Sequence, residues 1–398
     1  MKRYSIEEIA YFLNYSYLDA RRMERYKETQ LLFEVRQDEY LWELTKELYK
    51  RTYRPKPPIC FLITSPTYRE VFAPYFRDRV VSHLLFNSIS PIFEKTFIYD
   101  SYSCRKGKGT DFGIKRMGSF LKSCSDNYRN INDTYVLSLD ISGYFMSIHR
   151  PTLRKMIINV LERYKNKNQS LGKTWGDSID YELCYFLIDN LLLRDPKRDC
   201  LIIKGEKDDW NKLPKNKSLF NVPPETGLPI GDITSQLFSN IYLNPFDQFM
   251  KRDLGCAYYG RYVDDARVIS RDLNYLRAII PKINEFLFDT LKLTLHPKKT
   301  RITKAEYGIP FLGQLIRPYR KYVQNRSIRS FKGAVDKISK HREITKRDIS
   351  VLNSYLGYFK NADEYKVVQK TIQKSGLQEV IDFSEDYHKA IIKQNNNL

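Results

Sequence analysis

Residues 258–270 read YYGRYVDDARVIS. Tyr258 to Val263 and Ala266 to Ile269 have the β-branched and aromatic make-up of two short strands, and the adjacent Asp264 and Asp265 fit the tight turn between them. Two carboxylates at a hairpin tip repel each other, and side-chain packing does not offset that. A hard divalent cation does, because Mg²⁺ takes carboxylate oxygens and keeps places for water and phosphate oxygens. An ordinary solvated turn is the alternative, since Asp is a common turn residue. The rest of the chain decides between the two.

The 398 residues suffice for two or three domains with a substantial core. A balance of 67 Lys and Arg against 47 Asp and Glu gives a formal net charge of +20, and a polyanion is the first partner this suggests. Thirty tyrosines interleaved with cations suit a surface that stacks on bases and neutralises phosphates, although a genome favouring Tyr, Lys and Asn codons raises the same count. The six cysteines lie far apart with no CxxC pair, which argues against a zinc ribbon or a disulfide-stapled secreted domain and fits a reducing cytosol. Five scattered histidines form no metal-ligand pair. The N-terminal MKRYSIEEIA has no apolar core behind its charges, so no signal peptide is expected. The longest apolar stretch, Leu183 to Leu193, is broken by Asp189 and Asn190 and is too short to span a bilayer. A soluble cytoplasmic protein with no membrane partner is the expectation.

Residues 5–50 carry helical spacing and end at the breaker run Arg54-Pro-Lys-Pro-Pro58. A short apolar run, Ile59 to Thr64, is closed by Pro66; Tyr68 to Phe93 is mixed and then helical, with Arg69, Arg77 and Arg79 among apolar positions. The loop Ser101 to Thr110 holds Arg105, Lys106, Lys108 and two glycines, so its backbone can approach phosphates closely, although a flexible solvated turn has the same composition. Tyr135 to Leu139 is an apolar strand that ends on Asp140. Residues 150–193 read as helical and 194–226 as a polar loop or insertion. Gly227 to Met250 opens with a Gly-Leu-Pro-Ile-Gly turn and continues as a helix. A further amphipathic helix is expected over 273–293, a short strand over Phe311 to Ile316, and a basic helical tail from about 327, with a low-complexity end at Gln394 to Leu398. This irregular alternation predicts an α+β protein rather than a doubly wound sheet.

If the strand ending at Asp140 and the Asp264-Asp265 hairpin share a sheet, three carboxylates can converge on two metal ions about 3.5–4 Å apart. Such a site activates a primer 3′-hydroxyl and stabilises the charge on a transferring phosphoryl group. Phe145, five residues after Asp140, can lie beneath an incoming sugar and exclude a 2′-hydroxyl by volume.

The order of these blocks resembles the reverse transcriptases: a basic finger loop, then LSLDISGYF, GLPIGDITSQLFSN, YVDD, LHPKKTRI and FLGQLI. The resemblance runs from about residue 55 to about 325. Within the family the chain is most similar to the reverse transcriptases of diversity-generating retroelements, relatives of the group II intron enzymes, through Gly227 to Gln236, YDSYSCRKGKGT and FRDRVVSHLL. Many other reverse transcriptases have Gln at the place of Ile230 and Ser-Pro at the place of Ser235-Gln236. An amide there can hydrogen-bond near the incoming sugar and templating base, and an isoleucine cannot, which fits adenine-directed infidelity; simple packing of Ile230 beneath the turn is the other reading.

The resemblance implies a right-hand polymerase fold, with a helical extension over 1–58, fingers over 59–139, a palm over 140–326 that includes an insertion at about 194–226, and a helical thumb over 327–398. It implies that Asp140, Asp264 and Asp265 bind two Mg²⁺ ions, with Mn²⁺ as a substitute and the Ile141 carbonyl as a further ligand. By the same resemblance Phe145 is the steric gate, Arg69 and Arg79 (with Arg77 a rival) reach the nucleotide with Ile230 and Gln236, and Lys299 (with Lys298 a rival) protonates the leaving pyrophosphate. Arg105, Lys106 and Lys108 meet the template, and Phe311, Leu312 and Gly313 form the primer grip. The tail cations from Arg326 to Arg347 suit sequence-independent phosphate contact. The implied partners are template RNA, a DNA primer or cDNA, dNTPs and a small basic accessory protein. No zinc cluster or RNase H-like carboxylate set follows the thumb, so target cleavage is expected from elsewhere. A retron-like or phage-defence reverse transcriptase is the alternative within the family, and an inactive RNA-binding scaffold the alternative outside catalysis; the intact aspartate triad speaks against the latter.

Overall fold

The computed structural model describes residues 2–22, 27–64, 67–170, 179–195, 197, 200 and 202–393. Pro66, parts of the 194–226 stretch and the Gln394 to Leu398 tract lie outside the described residues. In chain order the helices are α1 (Ile6–Arg22), α2 (Glu28–Val35), α3 (Gln37–Tyr49), α4 (Phe76–Glu94), α5 (Thr110–Cys124), α6 (Tyr144–Ser147) and α7 (Arg150–Ser170). They continue with α8 (Tyr181–Leu192), α9 (Lys207–Asn211), α10 (Ile233–Gln248), α11 (Leu273–Leu291), α12 (Asn325–Ser339), α13 (Lys346–Phe359) and α14 (Tyr365–Ser375). The strands are β1 (Ile59–Ile63), β2 (Arg69–Ala73), β3 (Tyr135–Leu139), β4 (Ile202–Lys204), β5 (Tyr258–Tyr262) and β6 (Asp265–Ser270). After them come β7 (Arg301–Lys304), β8 (Ile309–Phe311), β9 (Gln314–Arg317), β10 (Arg320–Val323), β11 (Ile381–Phe383) and β12 (Ala390–Ile392). Two compact units share the chain. The first comprises Met1–Arg105, Asp140–Cys256 and Ile279–Pro297; the second comprises Lys106–Leu139, Ala257–Ala278 and Lys298–Leu398.

In the first unit α1 starts where its sequence says it should. Ser5 Oγ accepts from the Glu8 amide at 3.2 Å while Glu8 accepts from the Ser5 amide at 2.8 Å, a reciprocal cap. Ile9, Leu13, Tyr17 and Ala20 recur at helical spacing and are buried, and α1 packs on α4. α10 is buried nearly all round, through Leu237, Phe238, Ile241, Tyr242 and Leu243, and sits against α4 and α7. β1 pairs antiparallel with β2 and parallel with β4. β4 corrects the expectation of a featureless polar stretch over 194–226: its three residues are exposed and Lys204 ends it, so an edge strand there has no apolar alternation to reveal it.

The second unit is built on a four-stranded antiparallel sheet of order β5-β6-β3-β7. β3 is central, and Val136, Leu137 and Leu139 are buried. α5 packs on β5 and β6, and a meander β8-β9-β10 follows. The short strand expected over Phe311 to Ile316 is instead a hairpin. Leu312 and Gly313 take φ of 49° and 80° and turn the chain between β8 and β9, so Phe311 pairs with Gln314. Positive φ at both central residues is the pattern of a tight primed turn, which an apolar run with one glycine does not advertise. A Cβ on Gly313 would lie 1.9 Å from the Tyr358 hydroxyl, so any other residue there must displace that ring and bear the strain of a φ of 80°. The tail forms its own core from Phe331, Val335, Leu352, Leu356, Phe359, Val368 and Ile372. It is helical through α12, α13 and α14 and ends in the hairpin β11-β12.

Candidate active site

The turn of the aspartate hairpin falls one residue earlier than the expected Asp-Asp tip. Tyr262 pairs with Asp265, so the loop residues are Val263 and Asp264, and Asp265 belongs to β6. Val263 takes a φ of 53°, a conformation that β-branched residues rarely adopt, at a cost on the order of 1–3 kcal/mol. The buried Arg261 helps hold it, donating from Nη1 to the Val263 carbonyl at 2.7 Å.

Because strand side chains alternate, Asp265 and Arg267 share one face of β6. The Arg267 guanidinium ion-pairs with Asp265 Oδ1 and donates to the Pro310 carbonyl from Nε at 3.1 Å and Nη2 at 2.8 Å. It also lies over the Phe311 ring, 5.4 Å from the centroid. One buried cation therefore ties the carboxylate strand to the β8-β9 hairpin. Sequence reasoning passed over this residue, although its position two after Asp265 was the available signal. Arg267→Leu removes the guanidinium that joins the two elements and takes the Nε and Nη2 donors from the Pro310 carbonyl, at about 1–3 kcal/mol. A fall in thermal midpoint of several degrees is expected, and an unchanged melt would show that the pairing carries no stability.

β3 ends at Leu139, opposite Ala266, and Asp140 is the next residue in the chain. In the first unit the Asp140 carbonyl accepts from the His296 amide at 2.8 Å, Ile141 bridges Leu295, and the Ser142 amide donates to the Thr294 carbonyl at 2.9 Å. The short helix α6 follows and places Phe145 half-buried against Cys60, Phe72, Met146 and Leu219. Ile230 packs against the same cluster. Backbone bonds stitch these parts together: the Leu228 amide donates to the Phe145 carbonyl at 2.8 Å, and the Phe72 amide to the Ile230 carbonyl at 2.8 Å. Gly231, with a φ of 127°, lets β2 approach, since a Cβ there would sit 2.9 Å from the Phe72 carbonyl oxygen. Beneath the cluster the buried Glu70 accepts from Ser218 Oγ at 2.6 Å and the Leu219 amide at 2.8 Å. Burial pushes the Glu70 carboxyl up from its usual range, against the pull of these two donors.

Arg69 is exposed at the start of β2, and Arg79 is half-buried in the first turn of α4. Arg77 is taken by Glu47 and Asp78. Gln236 is exposed on α10, whose N-cap Asp232 accepts from the Thr234 amide at 3.3 Å. Lys298 and Lys299 lie exposed in the turn before β7. Phe311 is buried, while Leu312 and Gly313 are half-exposed at the hairpin turn. In the basic loop, Arg105 turns inward: it pairs with Glu94 at 2.9 Å and donates to the carbonyls of Ile98 at 2.7 Å and Ser101 at 2.8 Å. Its side chain is 6% exposed, so its charge serves the loop's own structure. Lys106 is exposed, and Lys108 lies over the Phe112 ring.

Among the described residues no group of three or more His, Cys, Asp or Glu side chains forms a metal-holding cluster. The donor chemistry of Asp140, Asp264 and Asp265 is nonetheless that of hard oxygens, which suits Mg²⁺ or Mn²⁺ and not a thiolate-seeking metal. Among the described residues no helix is long and apolar enough to cross a membrane.

Residues 55–316 match the family model described as Reverse transcriptase (RNA-dependent DNA polymerase). The chain belongs to this family, an enzyme class of RNA-directed DNA polymerases with an α+β right-hand polymerase fold. It is 24% identical over 320 residues to Protein YkfC of Escherichia coli (strain K12), covering 72% of this chain and 73% of that protein. It is 22% identical over 327 residues to the Putative COX1/OXI3 intron 2 protein of Saccharomyces cerevisiae, covering 71% of this chain and 35% of the yeast protein. Among solved structures it is similar to apo telomerase from Candida tropicalis, with a TM-score of 0.47 and 11% identity over 81% of this chain and 56% of that one. Telomerase from Candida albicans in complex with a TWJ fragment of telomeric RNA gives a TM-score of 0.44 and 11% identity over 85% of this chain and 65% of that one. The chain thus spans about a third of the yeast relative and between about half and two thirds of the telomerases.

Proposed function

We propose that this chain makes cDNA from a structured template RNA by two-metal nucleotidyl transfer, with low fidelity at template adenines, as in a diversity-generating retroelement. The observation that supports the chemistry is the register of the central sheet: Leu139, the chain neighbour of Asp140, lies opposite Ala266, the chain neighbour of Asp265. Asp140, Asp264 and Asp265, with the Ile141 carbonyl, would hold two Mg²⁺ ions, or Mn²⁺ in their place. When bound, such ions lower the pKa of an attacking hydroxyl and neutralise charge on the transferring phosphoryl group. The protein's own contributions are positional. Val263 holds the hairpin tip in its strained turn, and Arg267 offsets part of the repulsion between the paired acids.

Phe145 and Ile230 form the sugar-facing floor on this reading, with Arg69 and Arg79 reaching the triphosphate, Gln236 beside the nucleotide, and Lys299 placed for the leaving group. Lys106 and Lys108 meet the template, and Phe311, Leu312 and Gly313 the primer. The corresponding division is an extension over 1–58, fingers over 59–139, palm over 140–326 and thumb over 327–398, acting with a small basic accessory protein. The deciding experiment is extension of a DNA primer on an RNA template with dNTPs and Mg²⁺; no product under these conditions removes the proposal.

The subfamily reading rests on Ile230. Its carbonyl is engaged by Phe72 and its side chain packs among Phe72, Met146 and Leu219, so the side chain supplies no hydrogen bond to substrate. Ile230→Gln restores a donor and acceptor worth about 1 kcal/mol, so misincorporation opposite template adenine is expected to fall roughly fivefold. Product sequencing that shows the same error spectrum in both proteins would overturn this account of the residue.

A further inference from the structure

A second basic surface lies in the unit formed by Lys106–Leu139, Ala257–Ala278 and Lys298–Leu398. It is a groove of about 390 Å³ between α5 and the β9-β10 hairpin. Lys115 and Lys122 line one side; Arg317, Arg320 and Lys321 line the other. No acidic residue lines it, and among the described residues none of these five cations forms a salt bridge. Asp363, the acid bonded to this hairpin, accepts from the Lys321 amide at 2.8 Å, and its charge also acts on the Arg320 guanidinium.

Two tyrosines are brought to this groove by unusual backbone. Asp126, Asn127 and Tyr128 take successive φ values of 51°, 51° and 69°, and Tyr319 takes 63° at the tip of β9-β10. A run of three left-handed non-glycine residues is costly. Its result is that Tyr128 meets Tyr319 edge-on, with ring centroids 4.7 Å apart, and Tyr319 remains 82% exposed. An exposed aromatic held in place among cations that form no salt bridge is the arrangement that stacks unpaired bases and neutralises the phosphates between them.

The groove is separate from the carboxylate tip. Ser123, beside Lys122, meets the Tyr258 hydroxyl at 3.0 Å, and Tyr258 begins the strand whose far end, Tyr262, pairs with Asp265. Four strand steps of about 3.3 Å separate those ends, roughly 13 Å along β5.

We propose that this groove binds single-stranded RNA, holding an unpaired stretch of the template RNA outside the segment being copied. The assignment of the bound strand as template rests on the proposed function; the binding of single-stranded RNA does not. Five cations with a single acid, Asp363, beside Arg320 and Lys321 leave a net positive groove that favours a polyanion, and the aromatic pair favours one with exposed bases over a duplex or an acidic protein.

The test is fluorescence anisotropy of the full chain with a labelled 20-nucleotide unstructured RNA across a salt series, alongside extension of a preformed primer–template duplex. Arg317→Ala with Arg320→Ala is expected to weaken RNA binding roughly tenfold at low salt and reduce the slope of log affinity against log salt by about 1.4. Tyr319→Ala is expected to weaken it at least roughly fivefold by loss of stacking. Extension of the preformed duplex is expected to stay at the wild-type rate. Arg317→Lys with Arg320→Lys keeps the charge and should bind nearly as the wild type, which separates electrostatics from a fold defect. Photocrosslinking of the RNA to wild-type protein should yield peptides containing Tyr319. Wild-type affinity in both loss variants, or crosslinks that avoid α5 and β9-β10, would overturn the groove assignment. Displacement of the RNA by polyglutamate at equal charge concentration would overturn it in favour of an acidic protein partner. If the wild type extends no primer yet RNA binding still depends on these residues, the catalytic reading fails and the groove stands.

Discussion

Asp264→Ala is expected to abolish primer extension, with the rate falling by at least roughly a thousandfold. The size follows from where the residue sits. Asp264 is a loop residue of a two-residue turn and makes no ladder pair, so replacing it removes a carboxylate without removing a strand contact. The sheet register from Tyr258↔Ile269 to Tyr262↔Asp265 does not involve it. The thermal midpoint should therefore stay near that of the wild type, and RNA affinity should hold or rise slightly because one negative charge is gone. Loss of extension with retained folding and binding is the signature of a residue that acts on the reacting groups. Extension by the alanine variant would sink the assignment of the hairpin as the catalytic centre. Chelation by EDTA should give the same null result in the wild type, and Mg²⁺ or Mn²⁺ should restore it.

Phe145→Val is expected to raise ribonucleotide incorporation relative to deoxynucleotide by roughly a hundredfold, with little change in kcat/KM for dNTPs. The argument is one of volume. Phe145 is half-buried against Phe72, Met146 and Leu219, so its ring is fixed by packing and cannot swing aside for a 2′-hydroxyl. Its carbonyl is bonded to the Leu228 amide, which fixes the backbone as well. Valine keeps part of that packing and so limits the cavity cost, which for complete removal of a buried Phe side chain runs to about 3–5 kcal/mol. Single-turnover assays with dCTP and CTP read the ratio directly. If the ratio does not move, Phe145 is a core residue of the first unit and sugar selection resides elsewhere.

The strands beside the three aspartates were legible, because residue composition states them. Tyr135 to Leu139 and Tyr258 onward are apolar and β-branched, and they fold as β3, β5 and β6. The order of motif blocks carried the family. What was not legible depended on backbone sign and on distant partners. The turn shifted by one residue because Val263 accepts a φ that its own propensity opposes. The Phe311 to Ile316 run became a hairpin for the same reason at Leu312. Arg105 read as a phosphate-seeking cation until Glu94 and two carbonyls enclosed it. β4 was hidden because an exposed edge strand of three residues has no periodicity to find.

The strand order β5-β6-β3-β7 has a consequence for synthesis on the ribosome. β3 is the first of the four to be made, yet both of its neighbours come much later, β6 at Asp265–Ser270 and β7 at Arg301–Lys304. At about 5–20 residues per second, the nascent chain waits on the order of ten seconds between completing β3 and meeting its first partner. Through that interval Val136, Leu137 and Leu139 have no sheet to enter, and both backbone edges of the strand are open to other chains. Slowing translation between residues 140 and 265 should therefore increase aggregation of this protein, and coexpression with a chaperone that shields apolar strands should relieve it.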